Sequence, residues 1–511
     1  MKSFGISIAA LIAAIVAAQA ADLPTKKTPP APPAANCYAS FSTWLDSTAA
    51  DCPLSYAGVT VYGQIDAAGG YETAASPFNK DYPQGVQEVI NKTNNRPGWQ
   101  WVPNGLSQSN IGVKIKEQIA PSWYIIGDID AGFDPYSFRF ANGPASLEDN
   151  NLLSKTKQNL FTSNGDSSRA GLIDNTRAYI GLSNPTFGAL TFGRQYAFSN
   201  DLVGGYDPFG GSYAFSLIGN SSTPVAGAGD TETARYNTSV KYLINYNGLR
   251  AGALAQVGGW EQGNGAQAAY QADLGFDYAG FSVDAVYAYA KDAVKLSYWG
   301  TGAVPTPPLS PNTLTATLSD INSGVIGAKY KWQALTVYGG YAYDRLSSPS
   351  GFNSYYSPTS TAGFGNVYTF NQGYPGAVQA NLYVNPEVLQ TVWVGAKYGV
   401  LSNLDFITGY YYEAQNNFVL LAAPAGVKNE KTNPACGPAT SSAAPGAAFQ
   451  GSNSSSCPGH TEAASVALDW RPVKRVDVYG GVLFSQVSGG MANGFIKSDN
   501  TAYTGGVRVS F

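Results

Sequence analysis

Histidine is nearly missing from this 511-residue chain: there is one, His460, beside two methionines and four cysteines. A Cys/His metal site would have to be gathered from Cys436, Cys457 and His460 without further ligands, so neither metal nor cofactor is expected. A catalytic triad would have to run through the same histidine, which has no Ser/Asp partner pattern around it. Charge is also scarce, at 13% Asp, Glu, Lys and Arg against about 25% in ordinary soluble domains. The net charge of −4 and the lack of any basic cluster interleaved with aromatics exclude a nucleic-acid partner. Long apolar runs are missing too. Beyond the N-terminus no stretch approaches the roughly 18–20 residues that a membrane helix needs.

One short apolar run does occur, at Ile6–Ala18, after Lys2 and before Ala18-Gln19-Ala20. A basic start, a short apolar stretch and an A-x-A site describe a secretory signal peptide over residues 1–20. Its removal leaves 511 − 20 = 491 residues and, with Lys2 gone, a net charge of −5. Export through an oxidising compartment suits cysteines that fall as two near pairs, Cys37/Cys52 and Cys436/Cys457. Four cysteines permit three connectivities, and loop-closure entropy favours neighbours. Residues 21–57 open with the Pro-rich stretch Ala21–Ala35, which reads as an extended periplasmic tail.

What the chain has in quantity is glycine (58 residues) and aromatics (13%), arranged with a period of two. In the first strand-like segment Val59, Val61, Ile65 and Ala67 lie on one face and Thr60, Gln64 and Asp66 on the other. In the last, Tyr503, Val507, Val509 and Phe511 oppose Thr504, Arg508 and Ser510. Alternation gives each strand one apolar and one wet face. Aromatics end many apolar faces, as at Tyr287/Tyr289, Tyr341/Tyr343, Tyr410/Tyr412 and Trp470, and that is how the girdles at two lipid–water interfaces appear.

Sixteen such segments can be drawn: 58–71, 109–118, 122–133, 177–183, 189–195, 235–246, 249–257, 268–278, 281–291, 323–331, 334–343, 389–399, 403–414, 462–471, 474–487 and 502–511. Short connections (Glu117–Pro121, Asn184–Gly188, Asn247-Gly248, Ala279-Gly280, Trp332-Gln333, Leu401-Ser402, Pro472-Val473) alternate strictly with long polar ones. An even strand count with that asymmetry predicts an all-β, 16-stranded antiparallel transmembrane β-barrel over residues 58–511, with short periplasmic turns and long extracellular loops. Eight strands would fill their own interior, whereas sixteen leave an aqueous channel. The wet faces carry Asp66, Asp128, Asp130, Asp273, Asp277, Asp284, Asp405 and Asp477 against Lys114, Lys116, Arg177, Lys241, Lys329, Lys397, Arg471 and Arg508. So many charges require water or partners.

The loop over residues 196–233 differs from the rest. Arg194 and Arg235 stand at its mouth, Arg177 opens the preceding hairpin, and Asp201, Asp207, Asp230 and Glu232 lie within it. Folded back into the barrel, such a loop would set acids against wall arginines and create a transverse field.

These features together resemble a Gram-negative general porin, and most closely the alphaproteobacterial (rhizobial) porin family. The resemblance rests on Ala21-Asp22-Leu23-Pro24, Cys37…Cys52 and Arg177-Ala-Tyr-Ile-Gly-Leu. Phe187-Gly-Ala-Leu-Thr-Phe-Gly-Arg-Gln195 and the terminal Phe511 complete it. It implies an outer-membrane homotrimer, set among lipid and lipopolysaccharide, through which small hydrophilic solutes and ions diffuse passively. The third outer loop would form the eyelet. Arg194 and Arg235 match constriction arginines, and a third basic position falls instead at Asn110, with Lys114 further along. Asp207 is the best match to the eyelet acid, beside Asp201 and Glu232. The loop Asp134–Asn175 resembles a latch onto a neighbouring subunit, and the Pro-rich tail could contact peptidoglycan. A channel selective for sugars or small organic acids is the alternative, and no enzymatic activity is expected.

Overall fold

In a computed structural model, the protein is described over residues 36–75, 89–90, 96–138, 140, 176–219, 235–258, 266–296, 316–351, 378–380, 383–420, 436, 456–492 and 497–511. The signal segment, the tail before residue 36, Asp230, Glu232 and most of the loops Asp134–Asn175 and Gln415–Thr461 lie outside these residues. The chain divides into a small unit, residues 1–44, and a barrel unit, residues 45–511. In the small unit the rings of Phe41 and Trp44 stack at 5.7 Å.

Sixteen strands build the barrel. They are β1 (Val59–Ala75), β2 (Ser109–Ala120), β3 (Trp123–Phe133), β4 (Arg177–Asn184), β5 (Gly188–Tyr196), β6 (Arg235–Tyr246), β7 (Leu249–Gln256), β8 (Ala268–Tyr278), β9 (Phe281–Leu296), β10 (Ala316–Trp332), β11 (Leu335–Ser347), β12 (Glu387–Leu401), β13 (Leu404–Gln415), β14 (Gly459–Val473), β15 (Val476–Gly489) and β16 (Asp499–Ser510). Each pairs antiparallel with the next. β16 returns to β1, with Ala67 opposite Val507, and closes the sheet. The terminal Phe511 completes the seam by exchanging both backbone hydrogen bonds with Gly63 (2.9 and 3.0 Å). A side chain at Gly63 would collide with the Phe511 ring.

Closure is needed because hydrocarbon offers nothing to an unpaired N–H or C=O, so a sheet can cross a membrane only without edges. The outer surface is apolar as alternation predicts: Ile65, Ile111, Ile180, Val394 and Val507 all point outward and exposed. Towards the short-turn end the exposed residues become Trp123, Tyr246, Tyr278, Trp332, Tyr398 and Trp470, and towards the other end Trp99, Trp101, Tyr270, Tyr343 and Tyr503. Two aromatic girdles therefore bracket an aliphatic belt.

The short turns fall within a residue or two of their predicted places. Asn247-Gly248 and Ala279-Gly280 have both residues at positive φ (49° and 87°, 48° and 86°), the paired left-handed geometry of a type I′ hairpin. Asn184 Oδ1 instead caps its turn by accepting from the amides of Thr186 and Phe187 (2.9 and 3.2 Å).

One addition was not predicted. Arg96–Pro103 pairs with the second half of β1 while β2 pairs only with its first half. Residues 104–108 leave the sheet between them, held by Asp66, whose Oδ2 accepts from the amides of Leu106 and Ser107 (2.7 and 2.8 Å). Residues 45–57, grouped by the sequence with the N-terminal segment, pack with the barrel. Leu54–Tyr56 pairs with Val59–Val61, and the buried Arg475 donates to the carbonyls of Thr48 and Cys52 (3.1 and 2.6 Å). Cys436 and Cys457 form a disulfide with Cα atoms 5.5 Å apart. Cys37 and Cys52 are each disulfide-bonded as well.

A charge placed on the aliphatic belt tests this arrangement. Val394→Arg, midway along β12, should cost about 2–4 kcal/mol, read as a lower urea midpoint for folding into lipid vesicles.

Candidate functional site

The described part of the third long connection, residues 197–219, lies inside the barrel. It leaves β5 at Tyr196, forms the helix α1 (Phe198–Tyr206), and turns at Asp207. The helix is amphipathic in a practical sense: Phe198, Leu202, Val203 and Tyr206 are buried against the inner faces of β8–β11. The surrounding wall, from β7 to β12, makes room with glycine. A Cβ at Gly252 would overlap the Phe198 ring, one at Gly327 would sit 2.7 Å from Tyr206 Cβ, and one at Gly395 would sit 2.5 Å from Pro208. Glycine inside a strand often marks such a close approach. Polar contacts then fix the loop at intervals. Gln271 Oε1 accepts from the amide of Ser199 (3.2 Å), and Lys329 Nζ donates to the carbonyl of Gly205 (2.9 Å). Trp393 Nε1 donates to the carbonyl of Tyr206 (3.0 Å). On the far wall Ser212 Oγ and the amide of Ala214 both donate to the carbonyl of Gly105 (2.7 and 3.0 Å). Phe215 meets the Tyr479 ring edge-on at 6.2 Å.

The three arginines singled out in the sequence share one wall, on the adjacent strands β4, β5 and β6. Arg177 Nη2 donates to Asp130 and to the Tyr62 hydroxyl, both at 2.9 Å, and its Nη1 is 3.4 Å from Asp128. Its guanidinium also lies over the Tyr196 ring at 4.7 Å, and Arg235 lies over the same ring at 5.4 Å. Arg194, only 3% exposed, donates to Asn237 Oδ1 at 2.8 Å. Asn110, where a further basic residue was expected, donates to Asp130 at 2.7 Å. Lys114 lies over the Tyr62 ring at 4.1 Å. The result is a wall of cations stacked on tyrosine faces, each contact worth about 0.5–2 kcal/mol.

The two described loop acids, Asp201 and Asp207, are each engaged with other groups. Asp201 pairs with Lys241 at 2.7 Å. Asp207 is turned toward β13 and is 2% exposed. Its Oδ1 accepts from the Tyr411 hydroxyl (2.6 Å) and its Oδ2 from the amide of Gly211 (2.7 Å). The expected opposition of Asp207 to Arg194 and Arg235 is thus replaced by a latch. The physical reason is the length of the loop, which carries Asp207 past the arginines to the other side of the lumen. Burial pushes its carboxyl up to about 6, against the hydrogen bonds from Tyr411 and Gly211.

Several participants were missed in the sequence. Arg250 bridges Asp277 and Asp284 and donates to the Tyr206 hydroxyl at 2.8 Å. Trp393 and Tyr411, both fully buried, hold the loop. Tyr196 supplies the shared ring. A signal existed for part of this: Gly252, Gly327 and Gly395 sit at inward positions of otherwise regular strands. Nearer the short-turn end a chain of ion pairs follows the wall. Arg508 meets Asp477 (2.8 Å), Arg471 meets Asp469 and Asp405 (3.2 and 2.9 Å), and Lys397 meets Asp405 (2.8 Å).

A closed barrel with charged walls and an inward loop can be compared with known proteins. A family model described as Gram-negative porin matches residues 7–433. The chain belongs to the Gram-negative porin family. An outer membrane porin protein of Bordetella pertussis is 33% identical over 90 residues, 17% of this chain and 22% of that relative. The chain thus matches about a fifth of that relative's length. Among solved structures, an anion-selective porin from Comamonas acidovorans has a TM-score of 0.52 at 13% identity, covering 89% of this chain and 99% of the other. That likeness shows a shared barrel fold.

The latch makes two predictions about this porin. Because the folded carboxyl of Asp207 titrates near 6 and the unfolded one near 3.8, its contribution is fully present below about pH 4. It is lost as pH rises through 6, by linkage on the order of 3 kcal/mol at most. Thermal unfolding in detergent should therefore show a higher midpoint at pH 5 than at pH 7.5, and Asp207→Asn should flatten that difference. Gly327→Val should displace α1 from β10, seen as faster protease cleavage within residues 196–219 than in the wild type.

Proposed function

We propose that this porin is a water-filled channel of the outer membrane through which small hydrophilic solutes and ions diffuse passively. The observation that carries the reading is a sixteen-stranded barrel, apolar outside and charged inside, with a loop packed against its inner wall. A loop so placed would narrow the lumen. In this reading the short turns face the periplasm and the long connections face outward. Residues 1–20 are the export signal, and three copies assemble side by side among lipid and lipopolysaccharide. Membership of the alphaproteobacterial branch is supported by the Phe187–Gln195 motif and the Cys37…Cys52 pair. The Pro-rich tail would lie near peptidoglycan.

The constriction in this reading is formed by Arg177, Arg194 and Arg235 on the wall and by Asp201 with Lys241 at its edge, with Asp230 and Glu232 contributing from the rest of the loop. Asp207 holds the loop in place. The cations on β4–β6 support a second reading, a preference for small organic acids over neutral solutes. Catalysis has no part in either reading: His460 is engaged with Ser488 (2.9 Å) and lies 5.2 Å from the Tyr412 ring.

Planar bilayers should show stepwise conductance, grouped in threes for a trimer; a silent membrane at every voltage would overturn the channel. Swelling of proteoliposomes in a graded series of sugars should fall smoothly with solute size for a general channel. A sharp preference for organic acids of equal size would favour the second reading. In a salt gradient, Arg177→Gln with Arg235→Gln should move the reversal potential toward cation preference, whereas Asp207→Asn should leave it nearly unchanged. An unmoved potential in the arginine variant would remove those residues from the constriction.

A further inference from the structure

On the long-connection side of the Trp393–Tyr411 anchor, the inner wall holds a carboxylate that nothing described so far uses. Asp344, on β11, is 0% exposed, and the hydroxyl of Ser323 is the one side-chain donor near its carboxylate among the described residues. No ion pair among the described residues involves it. Leu389 stands directly opposite it on β12, and three further neighbours carry oxygen. Ser323 on β10 is its cross-strand partner. Thr391 on β12 is one diagonal step away, opposite Ala342, and is also 0% exposed with an unpartnered Oγ1. Glu413 on β13 is the cross-strand partner of Thr391 and brings a second carboxylate to the same face. Alternation places all four inward, since Tyr341, Tyr343 and Val392 between them point outward and exposed.

A carboxylate enclosed with a hydroxyl as its one described donor and no cation is unfavourable by several kcal/mol. Proteins resolve this with a proton, an ion pair or a metal. Among the described residues, Ser323, Thr391 and Glu413 supply hard oxygen atoms around Asp344. Carboxylates and hydroxyls at variable spacing suit a calcium-type cation, which accepts flexible oxygen shells, better than zinc, which takes nitrogen and sulfur. We propose that Asp344, Thr391, Ser323 and Glu413 form a site for a divalent cation of the calcium class, tying β10, β11, β12 and β13 together just beyond the point where the inward loop is anchored. The cation would neutralise Asp344 and satisfy the Thr391 hydroxyl in one step.

The test uses the purified full-length porin in detergent, stripped with EDTA and then incubated overnight with Tb³⁺, because the site is enclosed. Trp393 lies two residues from Thr391 on the same face, so excitation of tryptophan should give saturable terbium luminescence at one equivalent per chain, displaced by Ca²⁺. Asp344→Asn should weaken binding at least tenfold and Thr391→Val severalfold, while Asp277→Asn, far along the wall, should bind like the wild type. Ca²⁺ should raise the unfolding midpoint of the wild type and not that of Asp344→Asn, a variant that removes only the buried charge. Absence of a saturable signal in the wild type would overturn the site in favour of a protonated Asp344. A signal that survives in Asp344→Asn would overturn it in favour of binding elsewhere.

Discussion

The seam between β16 and β1 is the constraint on which the rest of this structure depends. Until Phe511 meets Gly63 and Val507 meets Ala67, sixteen strands joined by fifteen pairings still leave two rows of unpaired backbone groups, which hydrocarbon cannot satisfy. Closing the seam sets the strand number and hence the width of the barrel. Only then are the inward side chains brought to face one another across water. Gly63 is part of the same constraint, because the terminal aromatic ring occupies the space a side chain would take.

Closure leaves an interior too wide for the strands to fill, and this chain fills part of it with its own third long connection. The packing is more like that of a soluble core than of a loop in water. Phe198, Leu202, Phe209, Phe215 and Ile218 are buried against inward residues such as Leu254, Trp393 and Leu483. The inner face of the barrel is therefore not uniformly polar. It is apolar beneath the loop and cationic along β4–β6, where the loop has not yet crossed. Asp207 belongs to the first region and Arg177, Arg194 and Arg235 to the second, which is why their charges do not oppose each other. The same reasoning explains the division of labour among acids. Asp128 and Asp130 hold Arg177 upright, Asp201 neutralises Lys241, and Asp207 spends its hydrogen-bonding capacity on Tyr411 and Gly211.

Stability depends on pH through these contacts. The strand ladder is indifferent to small changes of pH, whereas a carboxyl that titrates near 6 inside the loop packing is not. Lowering the pH protonates Asp207 and removes the cost of burying its charge. Wall glycines act in the opposite sense, since any side chain there expels the loop.

The amino-acid sequence by itself determined the barrel. Alternation, girdle aromatics and the strict succession of short and long connections located all sixteen strands. They did so because the period of two and the chemistry of turns are local properties, legible residue by residue. The hairpins at Asn247-Gly248 and Ala279-Gly280 fell where their residues required. The motif around Phe187–Gln195 likewise located the arginine wall, since cross-strand register follows once β4, β5 and β6 are placed. Tertiary structure alone decided where the inward loop goes after α1. No local pattern states that Asp207 reaches Tyr411, 204 positions later in the chain, or that Tyr196 offers its ring to both Arg177 and Arg235. Those contacts depend on the curvature of a closed sheet, which brings strands far apart in sequence to opposite sides of one lumen.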